Sequence, residues 1–297
     1  MIVLKNEFIE LKILKKGVTF VSFKTLKDNI NIITSYKDIE AYDKDRGPYL
    51  GALIGPLAGR THVNQYGLTL DANNGPNHLH GGFNPLSEVC FDVEENESSA
   101  VFTALHLDVY YRIIVRLDKT SVVLELYASP RTSSPINLTN HMYFNLLGEN
   151  HLDAHRIKLN ADFYSYVNEN MLSTNTLMSV TDSVFDLRNG SDLKDILSQD
   201  HPQFKRTGHI DHSFKTNELE LKAGHKTLNI KATMPYMHLY LANYFDESFV
   251  DEHGRLAKNH ASIAIEPQYL PNDIDMPFYD ETNPYQEKIT YTITFDD

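Results

Sequence analysis

Two segments of this 297-residue chain place polar, protonatable side chains inside apolar runs. Residues 136–147, INLTNHMYFNLL, carry His141 flanked by Asn137, Asn140 and Asn145. Polar groups in so apolar a run need partners if they are buried, and histidine is the side chain whose unperturbed pKa lies nearest neutrality. His141 therefore reads as a satisfied core histidine or as a proton-transfer group. Glu266 follows the run Ala261-Ser262-Ile263-Ala264-Ile265 and precedes Pro267. A carboxylate that ends an apolar strand is partly desolvated, and desolvation makes a carboxylate a stronger base. The competing reading of Glu266 is a buried structural ion pair.

Three further residues gain interest from company. Gly51, Gly55 and Gly59 recur at four-residue spacing in GALIGPLAGR, which delivers Arg60 at its end. The segment ends Gly59-Arg60-Thr61, so it is no phosphate-binding Gly-Lys-Ser/Thr loop. Arg60 and His62 interrupt the apolar surroundings that a membrane-helix packing motif requires. Tight turns or close packing remain, with Arg60 alone reading as a surface ion pair. His78-Leu79-His80, if extended, puts two imidazoles on one face, as some metal sites require, but no HExxH-type motif supplies a third ligand. Asp211, within GHIDHSF, has turn chemistry as its plain reading.

The elements that must position these residues are strands. Residues 18–23, 112–117, 121–128, 226–232 and 288–295 are rich in β-branched and aromatic residues, several of them alternating apolar with polar. The pair 112–117 and 121–128, joined through Asp118-Lys119-Thr120, predicts a hairpin. Helical signals are sparse; the best is residues 191–197, with Ser191 as a cap and Leu193, Ile196 and Leu197 on one face. Strand–helix alternation is missing, which argues against a doubly wound or TIM-barrel architecture. One large antiparallel β-domain over residues 1–297 is the expectation. The irregular stretches 43–87, 130–150, 160–215 and 266–287 hold the candidate residues, and long loops on a rigid sheet are where sites tend to sit.

Composition narrows the function classes. With 40 acidic against 27 basic residues the formal charge is -13, so the chain repels a phosphate backbone, and no basic patch points to nucleic acid. A single cysteine, Cys90, excludes an intrachain disulfide and a Cys-rich zinc site. The N-terminus does not read as a secretory signal, and no stretch approaches the ~20 apolar residues that span a bilayer. A soluble, reduced, cytoplasmic protein without membrane or nucleic-acid partners is expected, as a monomer or a homodimer.

Taken together, the segments resemble the aldose 1-epimerase (galactose mutarotase) family. The matching stretches, in chain order, are GALIGPLAGR (51–60), the Asn77 to Gly82 segment, NLTNHMYFNL (137–146), VTDSVFDLR (180–188), IDHSF (210–214), PYMHLYLAN (235–243) and EPQYLPNDIDMP (266–277). The resemblance implies an all-β fold, a large antiparallel sandwich of the galactose mutarotase type with an open sugar cleft, and no cofactor or metal. It assigns His141 as general acid and Glu266 as base. His80 and Arg60 would hold the ring oxygen or adjacent hydroxyls, and Asp211 would hydrogen-bond sugar hydroxyls.

The chemistry asks for such a set. Opening a cyclic hemiacetal removes the proton from O1 and protonates the ring oxygen. A carboxylate and an imidazolium on opposite sides of C1 do both, each contributing about 10²–10⁴-fold. Rotation about C1–C2 and reclosure then give the other anomer. The departures concern recognition. Gly59 stands where the family often has asparagine before the arginine, Pro267 where threonine is usual, and His238 where glutamine is frequent; tryptophan is absent. Three other readings follow: a sugar-binding or sensing protein without turnover, a hexose-6-phosphate epimerase, which would need extra cations, and a glycoside hydrolase using Glu266 with Asp211 as its two carboxylates.

Overall fold

The computed structural model describes residues 1–44 and 47–296. Its largest sheet has nine antiparallel strands. In spatial order they are Ser191–Asp192, His155–Lys158, Glu218–Ala223, Lys226–Ala232, Tyr285–Phe295, Ser121–Pro130, Val109–Asp118, Ser99–His106 and Asp92–Glu95. The hairpin expected near residue 119 forms with a two-residue turn, because Asp118 pairs with Ser121 and both strands run longer than the apolar cores that announce them. Along Val109–Asp118 the alternation is strict: Tyr111, Ile113 and Val115 are buried while Tyr110, Arg112 and Arg116 face out. A strand with one face on the core and one in water produces that pattern.

A six-stranded antiparallel sheet packs against it, in the order Tyr143–Phe144, Ile263–Gln268, Tyr236–Tyr240, Asp211–Phe214, Phe163–Val167 and Ser173–Ser179. Phe144 and Tyr291, from opposite sheets, bring their rings to 5.8 Å. One hydrophobic cluster runs between the two sheets and takes in the N-terminal four-stranded sheet as well. Unlike the outer strand above, Ile263–Gln268 is buried at every position. Ile263 and Ile265 point into the core, so alternation sends Ala264 and Glu266 to the other face, Ala264 joining a second apolar cluster with Leu50 and Phe245.

The helical expectation needs correction at its start. The helix is Leu193–Leu197, and Ser191 does not cap it; Ser191 and Asp192 form an edge strand against Arg156 and Ile157. Pairing with the sheet edge satisfies that backbone instead. Residues 202–207 form a second helix, capped by the His201 side chain and with Pro202 at its first position. Among the described residues no helix is long and apolar enough to cross a membrane.

Candidate active site

Three neighbouring strands of the six-stranded sheet build the floor of a cleft through register. Ser213, His238 and Glu266 lie side by side, and Asp211, Tyr240 and Ala264 form the adjacent row. Their alternate neighbours Phe214, Met237, Leu239 and Ile265 enter the core. Period-two alternation therefore projects Asp211, His238 and Glu266 onto one face. The cleft above them has a volume of about 630 Å³.

His141 arrives from the side. Its backbone exchanges hydrogen bonds with the glycine segment, His141 N–H to Ala52 O and Gly51 N–H to His141 O, both 2.9 Å. Asn140 Nδ2 donates to Gly51 O at 2.8 Å, while its Oδ1 accepts from Met142 N. The two apolar motifs of the sequence are thus one clamp. Gly51 has φ +69°, and a Cβ there would lie 1.9 Å from Phe20 O, so only glycine allows this approach. Asn137 does the equivalent for the glutamate strand: its Oδ1 accepts from Tyr269 N at 2.9 Å and its Nδ2 donates to Tyr269 O at 3.0 Å.

In this arrangement His141 Nε2 lies 3.4 Å from Glu266 Oε1, both side chains being at most 5% exposed. Burial pushes His141 below the ordinary histidine range, against the pull of the Glu266 charge. His80 lies edge-on to His141, ring centroids 5.3 Å apart. Burial first, then the positive neighbours His141 and Arg60, hold His80 well below its usual value.

His78 and His80 do not share one face. His80 adopts φ +51°, which ends the strand Asn77–Leu79 and turns its ring into the cleft, while His78 Nδ1 sits 3.1 Å from Asp71 O. His80, His141 and Glu266 do bring potential ligand atoms within 4.8 Å of one another. However, His80 Nδ1 accepts from Gly59 N at 3.2 Å. The other ring nitrogen of the neutral imidazole then carries the proton, a tautomer suited to donating a hydrogen bond rather than to ligating a metal.

Arg60 is held rather than free. Its Nε donates to Asn74 Oδ1 and its Nη1 to Met171 O, each at 3.0 Å, and Nη1 stands 4.0 Å from Asp211 Oδ2. Asn77 and Asn272 also reach this loop, donating to Asn170 O at 2.8 Å and Ser173 O at 3.4 Å. Gly59, before Arg60, has φ +78°, and a Cβ there would lie 2.2 Å from the Pro271 ring. Glycine at this departure from the family pattern is thus required by the close approach of Pro271.

Asp211 is an ion-pair partner as well as a hydroxyl-binding candidate. His238 Nε2 lies 2.8 Å from Asp211 Oδ1, and His238 Nδ1 lies 3.0 Å from Ser213 Oγ. Burial pulls His238 down, but the Asp211 hydrogen bond and the charges of Asp211 and Glu266 outweigh it and leave it above its ordinary value. Burial raises Asp211 in turn, yet His238, Arg60 and His212 hold it at about 2.

The structure thus brings all five predicted residues, Glu266, His141, His80, Arg60 and Asp211, to one cleft. Sequence reasoning missed the aromatic wall of Tyr49, Tyr143, Tyr240, Tyr244 and Phe245. Tyr143, two residues beyond His141 and packed on it at 4.8 Å, was legible in principle from strand alternation. Tyr244 and Phe245 lie on a loop and carried no periodic signal.

Aromatic faces beside charged hydrogen-bonding groups suit a polyhydroxylated ring, and a buried carboxylate–imidazole contact is an arrangement suited to acid–base chemistry. Comparison with known proteins agrees. A family model described as aldose 1-epimerase matches residues 1–295. The chain is 26% identical to the galactose mutarotase of Rattus norvegicus, over 92% of this chain and 86% of that one. It is 27% identical to the aldose 1-epimerase of Haemophilus influenzae, over 93% and 88%. The crystal structure of galactose 1-epimerase from Lactobacillus acidophilus superposes with a TM-score of 0.90 at 25% identity, covering 99% of this chain and 94% of the other. The chain belongs to the aldose 1-epimerase family, and so to the isomerases.

Proposed function

We propose that the protein interconverts the α and β anomers of a free aldose, Glu266 taking the proton from O1 and His141 supplying one to the ring oxygen. The observation that carries this assignment is the 3.4 Å approach of His141 Nε2 to Glu266 Oε1 at the back of the cleft. The reaction requires one proton on this pair, passed out on one side of the anomeric centre and recovered on the other. Burial opposes a charged His141, and the Glu266 carboxylate supports it. Each proton transfer is worth about 10²–10⁴-fold. His80, with its proton on Nε2, donates to a sugar oxygen, and Arg60 and Asp211 supply a donor and an acceptor for hydroxyls. No step requires a metal or a cofactor.

An unphosphorylated hexose or related aldose fits best. Among the described residues the cleft lining contains one arginine, Arg60, and no lysine, and Arg60 is already engaged. A phosphate would lack the bidentate cations that usually hold it. A cytoplasmic location accords with the single cysteine, and sedimentation would distinguish a monomer from a homodimer. The assignment is tested by polarimetry on freshly dissolved α-glucose, α-galactose and glucose 6-phosphate. A free aldose should relax faster with the wild type than with Glu266→Gln by at least about 10²-fold. Equal rates would overturn it, and tight sugar binding without turnover would favour a sugar sensor.

A further inference from the structure

His238 is neither the base nor the acid of the reaction above, yet it stands between two carboxylates. Strand register sets it beside Glu266 on one side and Ser213 on the other. Both of its ring nitrogens are occupied, Nε2 by Asp211 Oδ1 at 2.8 Å and Nδ1 by Ser213 Oγ at 3.0 Å. It therefore has no free donor to offer a sugar and acts through its neighbours. We propose that His238 is a positioning residue whose proton fixes Asp211 for hydroxyl binding and sets the pH at which the Glu266–His141 pair exchanges its proton. This rests on the acid–base reading of that pair.

The surroundings give the sign. Facing His238 are Asp211 and Ser213 from one flanking strand, Glu266 from the other, Tyr240 from its own strand, Arg60 from the strand Arg60–His62, and the imidazoles His80 and His141. The two carboxylates favour a proton on His238 and Arg60 opposes it, with the net held above the ordinary histidine value. A positive His238 discourages a proton on His141. Removing that charge makes His141 hold its proton to higher pH. Glutamine keeps a donor for Asp211 but carries no charge, whereas alanine removes both.

The experiment is a pair of measurements on the full chain. In the pH profile of kcat/KM by polarimetry, the alkaline limb, set by His141, should move up by about one pH unit in His238→Gln. His238→Ala should move it similarly and raise KM further, by about tenfold, as Asp211 loses its donor. A purely structural role would lower activity equally at every pH, and an alkaline limb of His238→Gln that superposes on the wild type overturns the proposal. Separately, an NMR titration of the imidazoles, with His238 assigned by its loss in His238→Gln, should place His238 above about 6.5 and show it falling in Asp211→Asn. Titration of wild-type His238 at or below the ordinary value also overturns the proposal. If the wild type shows no mutarotation at any pH, the catalytic reading fails, and the NMR titration still decides the state of His238.

Discussion

His141 and Glu266 meet at 3.4 Å although they come from separate parts of the chain, one clamped to the glycine segment and the other borne on an entirely buried strand. Neither is close to the other by local sequence; the contact exists because both supporting backbones are fixed. In the proposed reaction it is the contact that a sugar must enter or flank to have its ring opened.

Replacing His141 by asparagine should lower kcat by about 10²–10⁴-fold. Because burial lowers the His141 pKa, its proton is lost as pH rises through a value below the ordinary one. The alkaline limb of wild-type kcat/KM is therefore expected below about 6.5. That limb should vanish from the residual rate of His141→Asn; a persisting limb would assign it to another group.

Asn137→Ala tests the support of the base. The amide makes both a donor and an acceptor bond to the Tyr269 backbone, and alanine leaves that N–H and C=O without their side-chain partner. A stability loss of about 2–4 kcal/mol is expected in urea unfolding. A fall in kcat should accompany it, since the strand end that follows Glu266 loses its anchor. A stable variant with unchanged kcat would show that the amide pairing is dispensable.

Arg60→Lys should raise KM by about tenfold with a smaller change in kcat. A single ammonium cannot reproduce the two directed bonds to Asn74 and Met171 while facing Asp211. Rates measured across sugar concentration would separate the two parameters, and an unchanged KM would remove Arg60 from sugar binding.

Three buried histidines away from the reacting pair predict acid sensitivity. Burial depresses His155 and His209 to about 4, and His212 to about 3. Unfolded, each would bind a proton near pH 6.5, so below that value the unfolded chain holds more protons and stability falls with pH. The loss continues to about 4 for the first two and about 3 for the last, with a slope of about 1.4 kcal/mol per pH unit for each histidine. Asp211, depressed to about 2, keeps its contribution at pH 5 and above and begins to lose it only below its ordinary value of 3.8. Urea unfolding at pH 7, 6 and 5 checks the slope, and a flat profile would contradict it.

Much of the fold was legible because its strands alternate. Residues 112–117 and 121–128 announced a hairpin, and the structure extends the strands to Val109–Asp118 and Ser121–Pro130. The six-stranded sheet was harder to read: Ile263–Gln268 is buried on both faces, and a strand covered on both sides loses its polar alternation. Glu266 and His141 stood out as polar interruptions of apolar runs, a signal that survives without knowledge of the fold. His238 showed only as a departure from the family's frequent glutamine, because its proposed role comes from lying beside Glu266 across a register no local pattern displays. Ser191 misled for a similar reason: its side chain suits a cap, but its backbone had a sheet edge to join.

The carbonyls of Asn170, Met171 and Ser173 are each tied to a side chain from elsewhere in the chain. The wall beside Arg60 is therefore assembled before any sugar arrives, and the entropy of ordering it is met on folding rather than at each encounter.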